Sequence, residues 1–316
     1  MRPRARRRPS VGTRAVGDHA VYSTDPDRIS YPNVVSMNSE LPLDGVRVVS
    51  LAINVPGPVA AARLAVLGAD VTKVEPPSGD FLAAAAPAWY AALIERQRVV
   101  VVDLKSDEGR ATLAELLAAA DVLIVSSRLA ALARVGIDRD TITARCPRLC
   151  VVSIVGHPSP DTEVSGHDLT YLAEARLVTP PRLPVSLYSD MATAIETVAA
   201  ALALLVRRAK SGLGGWREVS LLETARALAE PLHHGLTARG GVLGGGFPGY
   251  ALYEALDGWV AVAALEPHFL ARLLDVVAPE APDGPAIGRR LRAHTVDHWV
   301  SIGRTHDIPI ARVSAR

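Results

Sequence analysis

Aromatic residues are scarce in this chain: they occupy 4% of its 316 positions, although the total hydrophobic share is 49%. Proteins that bind single-stranded nucleic acid stack bases on aromatic side chains, so we do not expect that function here. Charged residues are also few, at 21%. A chain this apolar can bury enough surface to fold, and its length predicts one large domain or two ordinary ones.

A charge excess of either sign is missing as well. The formal net charge is +1, but residues 1–36 hold seven Arg and three Asp, which leaves 27 basic and 30 acidic residues in 37–316. This weakly acidic body offers no positive surface to a phosphate backbone, so nucleic acid is not an expected partner. Residues 1–36 lack the apolar core of a secretory signal. We interpret them as a disordered basic leader, or as the product of a start codon assigned upstream of the true start at Met37.

Cysteine is limited to Cys146 and Cys150, without a second pair or a nearby histidine to complete a zinc site. We therefore expect reduced thiols in a cytoplasmic protein, and no metal site. Long hydrophobic runs are also lacking, since no stretch reaches 18 uninterrupted apolar residues and the most apolar segment, 192–206, contains Glu196. The sequence does not predict a membrane span.

Short β-branched runs alternate with helical segments over residues 45–156. The runs that we interpret as strands are 46–51, 71–74, 99–104, 122–125 and 150–155. The run at 99–104 is almost entirely apolar, as is typical of a strand covered on both faces. Strands that alternate with helices predict an α/β domain with a mostly parallel sheet. Ligands of such sheets bind beyond the carboxyl ends of the strands, so we expect the site among the loops 52–58, 75–82, 126–129 and 156–168.

The chain lacks the G-x-G-x-x-G fingerprint of nicotinamide enzymes, because its first strand is followed by Asn-Val-Pro-Gly-Pro at 54–58. A long Ala/Leu helix is predicted from Asp190 to about Lys210. The composition then changes to a glycine-rich loop at 240–249, and Asp257-Gly258 between two apolar runs predicts a β-hairpin. We place a large domain at 37–236 and a smaller one at 237–300.

Several motifs occur in the order in which family III CoA-transferases carry them. They are LDGVRV at 43–48, PGP at 56–58, LGADVTKVEPP at 67–77, VDLK at 102–105, GHD at 166–168, SLL at 220–222 and LEPHF at 265–269. Over about residues 41–313 the sequence resembles this family, the CaiB/BaiF type, which includes formyl-CoA transferase and α-methylacyl-CoA racemase. The resemblance implies a large Rossmann-like parallel-sheet domain that binds CoA, a smaller second domain and an interlocked homodimer. It also implies that 301–316 is a shortened form of a segment that returns to the large domain.

The resemblance further implies that Asp168 is the nucleophile of a CoA-transferase. Such an enzyme moves CoA from an acyl-CoA to a carboxylic acid through an aspartyl-CoA thioester, with no bound cofactor. A carboxylate suits this role because it is nucleophilic at neutral pH and leaves readily once acylated. Alternatively, Asp168 caps the helix that begins near Leu169. In either role, the helix N-terminus is expected to keep the carboxylate ionised.

Two other functions remain open. In a racemase, Asp168 works with a histidine on the opposite face of the α-carbon. The segment 136–148, where the family carries that histidine, has none, so His157 is the candidate substitute, or else simply a packed histidine. The third possibility is a degraded homologue that binds CoA esters without turnover, because the family motifs at 94–99 and 125–130 are altered here.

The resemblance also assigns further site residues. Glu266 is expected to contact the catalytic centre, or merely to start the helix that follows it. His167 is expected to orient the loop before Asp168. Gly244, Gly245 and Gly246 are expected to close over the thioester, unless they form only a flexible turn. The remaining CoA-binding candidates are Gly57 and Asp190, together with Arg98 and Arg128, whose guanidinium groups suit phosphate.

Overall fold

A computed structural model describes residues 41–314 of the chain, and the leader interpreted at 1–36 lies outside them. The strands are β1 (Arg47–Ser50), β2 (Asp70–Glu75), β3 (Gln97–Val101), β4 (Val122–Val125), β5 (Cys150–Val155), β6 (Gly215–Ser220), β7 (Tyr250–Ala255), β8 (Gly258–Ala263) and β9 (Ile310–Arg312). The helices are α1 (Pro56–Val66), α2 (Phe81–Ala85), α3 (Pro87–Ile94), α4 (Asp107–Ala119), α5 (Leu129–Ala133), α6 (Arg139–Arg145), α7 (Asp168–Glu174), α8 (Tyr188–Ser211), α9 (Leu221–Leu228), α10 (Glu230–His233), α11 (Pro267–Val277), α12 (Gly284–Leu291) and α13 (Val296–Thr305).

The first six strands form one sheet in the order β3-β2-β1-β4-β5-β6, and every pairing in it is parallel. Helices α1 and α8 cover one face, and α4, α5 and α6 cover the other, each over its own apolar core. This confirms the predicted α/β class. The chain reverses its direction of travel across the sheet between β1 and β4, which is the switch point of a doubly wound fold.

Strands β4 and β5 begin and end where the sequence predicts, but the prediction for the 99–104 run is wrong. The strand there ends at Val101, and β3 is an edge strand with Val101 65% exposed. The apolar residues that follow β3 leave the sheet, and Val102 packs into the core beneath α4. An apolar β-branched run thus indicated a strand correctly without indicating its place in the sheet.

Helix α8 is long and apolar enough, by length and composition alone, to cross a membrane. In this fold it packs against α1, α9, β5 and β6. Its buried positions include Thr193, Thr197 and Ala201 along one side, as in the core helix of a layered α/β protein. Gly212, in the left-handed conformation with φ 75°, ends the helix.

A second, smaller unit is built on the antiparallel sheet β7-β8-β9, with α11, α12 and α13 packed on one face over a separate core. The predicted hairpin turn at Asp257-Gly258 is confirmed, since β7 pairs with β8 directly across it. The boundary that we placed at residue 300 falls inside α13. Because β9 pairs with β8, residues 301–312 belong to this unit, and they do not return to the large sheet.

Gly57 lies in the first turn of α1, where that helix approaches the end of β1. A Cβ atom on Gly57 would lie 2.1 Å from the Cβ of Ala52. The residue is also fully enclosed by the core. Close helix-to-strand packing therefore accounts for a glycine at this position of the family motif.

We expect Gly57→Ala to destabilise the fold by about 1–3 kcal/mol, because the added methyl group would clash with the Cβ of Ala52, which cannot move without its backbone. Thermal unfolding followed by circular dichroism measures this. Gly284→Ala is the matched control, since its Cβ would meet its nearest neighbour, the Tyr253 hydroxyl oxygen, at an ordinary 3.6 Å. Equal melting temperatures for the two variants would contradict the packing role of Gly57.

Candidate active site

A crevice of about 540 Å³ opens at the switch point, beyond the carboxyl ends of β1, β4 and β5. The walls of this crevice come from the loop after β1, the loop after β4, the segment before α7 and the start of α8. The residues that line it include Asn54, Ser126, Arg128, Gly156, Ser165, Gly166, His167, Tyr171 and Asp190. Three of the four loops that the sequence nominated, those at 52–58, 126–129 and 156–168, line it. The fourth lines a neighbouring cavity of about 480 Å³, through residues 75–78.

Two hydrogen bonds fix the loop after β1. The backbone N–H of Ile53 donates to Oγ of Ser126 at 3.2 Å, which ties this loop to the loop after β4. The N–H of Asn54, a residue in the left-handed region at φ 70°, donates to Oδ1 of Asp80 at 3.1 Å. Asp80 in turn belongs to a fully buried ion cluster with Lys73. The mouth of the crevice is therefore held by the interior of the large unit.

Asp168 occupies the first position of α7 and is only 5% exposed. It does not itself line the crevice, but its neighbour His167 and its hydrogen-bond partner Asp190 do. It does not cap its own helix, as the alternative reading of the sequence had it; the capping position belongs to His167. The Asp168 carboxylate instead accepts the N–H of Asp190 at 3.0 Å, on Oδ1, and so closes the first turn of α8. Burial raises the pKa of this carboxyl, and the backbone N–H groups of Asp190 and Ser189 oppose the rise only in part. Desolvation is thus the larger influence on this pKa, and the expectation that the helix N-terminus keeps the carboxylate ionised stays a prediction.

Asp190 brings a second carboxyl group to the same place. It lies in the first turn of α8 and lines the crevice. Burial, followed by the negative charge of Asp168, raises the pKa of Asp190 to about 7. The charge of Asp168 thus opposes the ionisation of Asp190, which lines the crevice, at a place where the sequence had put one nucleophile and one binding residue.

The raised pKa of Asp190 makes stability depend on pH. The folded chain binds this proton more tightly than the unfolded chain, so between its ordinary pKa of 3.8 and about 7 the free energy of unfolding falls as pH rises. Asp190→Asn removes this dependence. As pH rises through that window, we expect the free energy of unfolding of the variant to increase relative to that of the wild type by up to about 1.4 kcal/mol per pH unit. Urea unfolding at pH 4, 5.5 and 8 measures the difference. Both proteins keep Asp168, so the comparison isolates Asp190. Parallel pH profiles of the free energy of unfolding would contradict the raised pKa of Asp190.

The two histidines near Asp168 occupy different environments. His157 Nε2 lies 3.2 Å from Oε1 of Glu174, its Nδ1 is buried without a partner, and the residue does not line the crevice. His167 is exposed and lines the crevice, and its backbone N–H and C=O both bond to the Thr170 hydroxyl. These two hydrogen bonds fix the turn that holds Asp168, which agrees with an orienting role for His167.

Of the two arginines expected to meet CoA, the structure brings one to the crevice. Arg128 lines it and donates to Oγ of Ser165 at 2.7 Å, joining two of its walls. Arg98 lies near the amino end of β3, donates to Thr72 at 3.0 Å and lines neither cavity. Arg98 is thus separated from the carboxyl edge of the sheet where ligand is expected.

The structure does not bring the remaining candidates to the crevice. Glu266 is the exposed residue before α11, and its backbone oxygen accepts the N–H of Leu270. Gly244, Gly245 and Gly246 lie in an irregular turn at 242–246, in which Gly245 has a φ of 94° and the other two pack on the preceding backbone. None of these four residues lines the crevice.

The described part of the chain contains no group of three or more His, Cys, Asp or Glu side chains arranged to hold a metal ion. Cys146 and Cys150 are both free thiols. Sequence reasoning missed several lining residues, among them Asn54, Ser126, Ser165 and Tyr171. The first three lie in loops that the sequence nominated, and Tyr171 lies three residues after Asp168, which places it on the same side of α7.

Comparison with known proteins gives a consistent result. The model of CoA-transferase family III matches residues 43–316. The chain is 29% identical to succinate–glutarate CoA-transferase of Agrobacterium fabrum, covering 76% of this chain and 67% of that protein. It is 30% identical to mouse α-methylacyl-CoA racemase, covering 77% and 67%, and 28% identical to cinnamoyl-CoA:phenyllactate CoA-transferase of Clostridium sporogenes, covering 84% and 77%. The chain thus matches about two thirds of the length of the first two relatives.

Solved structures show the same fold. A Mycobacterium tuberculosis protein superposes with a TM-score of 0.76 at 22% identity, covering 87% of this chain and 86% of that one. A CaiB/BaiF family protein of Brucella suis superposes with a TM-score of 0.72 at 23% identity, covering 87% and 84%.

Proposed function

Because this chain belongs to the family III CoA-transferases, we propose that it moves CoA between an acyl-CoA and a carboxylic acid, with Asp168 as the nucleophile. The relatives named above include both transferases and racemases, so the choice between these reactions depends on the site. The observation that carries the proposal is the buried Asp168 carboxylate, held by the N–H of Asp190, which lines the crevice. Such a group is shielded from water and fixed in position before substrate arrives.

The reaction proceeds in four balanced steps. An oxygen of Asp168 attacks the acyl carbon; the C–O bond forms, the C–S bond breaks and CoA thiolate leaves, which gives a mixed anhydride. The thiolate attacks the aspartyl carbonyl and releases the donor carboxylate, which leaves an aspartyl-CoA thioester. The acceptor carboxylate then attacks this carbonyl and frees the thiolate. Attack of the thiolate on the acceptor's acyl carbon yields the new acyl-CoA and restores Asp168. Dividing one exchange into these steps lowers each barrier.

The crevice supplies binding and exclusion of water, and no step uses a metal or a nicotinamide. Arg128 offers a guanidinium to the anionic CoA, and His167 holds the turn before the nucleophile. The proposal does not use Arg98, which lies at the other end of its strand.

A racemase needs a second base on the opposite face of the substrate α-carbon. His157 is the candidate from the sequence, yet its Nε2 is paired with Glu174 at 3.2 Å. This pairing favours transfer over racemisation.

Trapping tests the proposal. The full chain is mixed with succinyl-CoA or cinnamoyl-CoA, treated with hydroxylamine or borohydride, digested and mapped by mass spectrometry. We expect a hydroxamate at Asp168 after hydroxylamine and a homoserine at that position after borohydride. A modified residue elsewhere would reject the assignment. CoA binding without any adduct would favour a degraded homologue, and α-deuteration of 2-methylacyl-CoA in heavy water without acceptor would favour the racemase.

A homodimer is part of the proposal, because Glu266 and the glycine turn at 244–246 do not line the crevice of their own chain. In an interlocked pair, these residues would come from the partner subunit. Mixing Asp168→Asn protein with Glu266→Gln protein under subunit exchange tests this. We expect the mixture to recover up to about a quarter of wild-type activity if the site is shared and both parents are inactive; no recovery would contradict the shared site.

A further inference from the structure

Tyr171 is one of the largest fully buried side chains, at 2% exposed, and its hydroxyl end reaches the crevice. It lies on α7 three residues after Asp168, so the two side chains share one side of the helix. Below the ring, Leu172 and Ala225 complete a small apolar core between α7 and α9. The ring is thus fixed by packing, and its polar end is the part presented to a ligand.

Two glycines make room for this hydroxyl. A Cβ on Gly156 would lie 2.3 Å from the Tyr171 hydroxyl oxygen, and a Cβ on Gly166 would lie 2.6 Å from the same atom. The phenol end therefore passes between the loop after β5 and the loop before α7, at a place where any side chain would displace it. Both glycines themselves line the crevice.

The hydroxyl of Tyr171 has no hydrogen-bond partner within residues 41–314. The ring of His157 packs edge-on against the Tyr171 ring, with 5.4 Å between the two centroids. Its Nε2 pairs with Glu174 and not with the Tyr171 hydroxyl. This hydroxyl is not one of the fully enclosed polar atoms that lack a partner, so water can reach it through the crevice, and a ligand acceptor would take the place of that water. The groups that face the phenol are acidic: burial first, then the charges of Asp190 and Glu174, raise the pKa of Tyr171. The phenol stays protonated at neutral pH and is available as a donor.

We propose that the Tyr171 hydroxyl is a catalytic hydrogen-bond donor that binds the thioester carbonyl oxygen of the acyl-CoA. This inference rests on the proposed function, since it requires a thioester at the crevice head. When Asp168 attacks the acyl carbon, the carbonyl oxygen gains negative charge, and the bond from Tyr171 strengthens without proton transfer. The phenol keeps its proton throughout, so the four-step exchange is unchanged in its atom balance.

Binding of two probes tests the inference independently of turnover. Both are measured by calorimetry in an Asp168→Asn background: acetyl-CoA, which has the carbonyl, and S-ethyl-CoA, a thioether that lacks it. We expect Tyr171→Phe to weaken acetyl-CoA about tenfold, the value of one hydrogen bond of about 1.4 kcal/mol, and to change S-ethyl-CoA less than about twofold. Tyr253→Phe is the matched control, because the Tyr253 hydroxyl bonds to Pro248 O in the smaller unit; neither affinity should change.

A spectroscopic measurement reports the same bond. Cinnamoyl-CoA absorbs at longer wavelength when its carbonyl is polarised, so we expect a red shift on binding that Tyr171→Phe abolishes and Tyr253→Phe keeps. Gly156→Ala provides a second variant, which retains the phenol but displaces its hydroxyl, and it should lose the same shift. With Asp168 intact, Tyr171→Phe should lower kcat/KM by about 100- to 1,000-fold.

The outcomes separate the two proposals. Equal weakening of acetyl-CoA and S-ethyl-CoA would mean that Tyr171 only packs, and no weakening of either would exclude the donor; both overturn the inference and leave Asp168 chemistry standing. A carbonyl-selective loss with no Asp168 adduct in the wild type would support the donor and overturn the transfer mechanism. Failure of the wild type to bind either probe would overturn both.

Discussion

Asp168→Asn is expected to reduce CoA transfer by at least about 10⁴-fold while the fold remains intact. The amide is nearly isosteric with the carboxylate, and its Oδ1 still accepts the N–H of Asp190 that closes the first turn of α8. It cannot form the mixed anhydride, because a neutral amide is a poor nucleophile. Steady-state transfer from succinyl-CoA, together with the trapping reaction, measures the loss.

Asp275→Asn is the matched control for this variant. Asp275 is exposed on α11 in the smaller unit and lines neither cavity at the sheet edge. Its substitution should leave turnover unchanged within twofold. If Asp168→Asn retained more than about a tenth of wild-type activity, covalent catalysis by this side chain would be untenable.

Lys73→Met is expected to cost about 3–5 kcal/mol of folding free energy. The Lys73 ammonium is completely buried, at 2.8 Å from Oδ2 of Asp80 and 3.1 Å from Oε1 of Glu75. Removing it leaves two carboxylates facing each other without a cation in the interior. The loop after β1 is anchored to the same cluster through Asp80 and Asn54, so CoA affinity should fall together with stability.

Urea unfolding measures the loss of folding free energy in Lys73→Met, and Lys210→Met is the control variant. Lys210 is exposed in the last turn of α8, so its substitution should stay within about 0.5 kcal/mol of the wild type. A loss of under about 1 kcal/mol for Lys73→Met would show that the two carboxylates do not depend on the ammonium. Thermal-shift titration with CoA then reports the effect on the crevice.

The sequence allowed the α/β class and the edge of the sheet that forms the site to be predicted. Apolar β-branched runs, separated by helical segments, indicate parallel strands, and the carboxyl ends of such strands share one edge. For this reason the crevice coincides with three predicted loops. The pattern could not tell that β3 lies at an edge, because strand order is set by crossovers that leave no local signal.

The chemistry of the site was predictable only in part. Motif order pointed to Asp168 and Asp190, but not to the bond between the Asp168 carboxylate and the Asp190 N–H, because that contact joins positions 22 residues apart in two different helices. Gly57 and Arg98 illustrate the converse. Each matches a family position, yet the first serves packing and the second lies at the amino end of its strand. Matching residues cannot reveal on which side of the sheet a side chain is used.

The strand order also has a consequence for biosynthesis. The middle of the sheet joins β1 to β4, and the Arg47 N–H that bonds to Asp121 reaches across 74 positions. A ribosome adds about 5–20 residues per second, so one side of the nascent first strand waits roughly 4–15 s for its neighbour. Throughout that interval an apolar, hydrogen-bonding strand edge is open to other chains. Slower translation of the segment between these strands should therefore increase aggregation of the newly made protein and its dependence on chaperones.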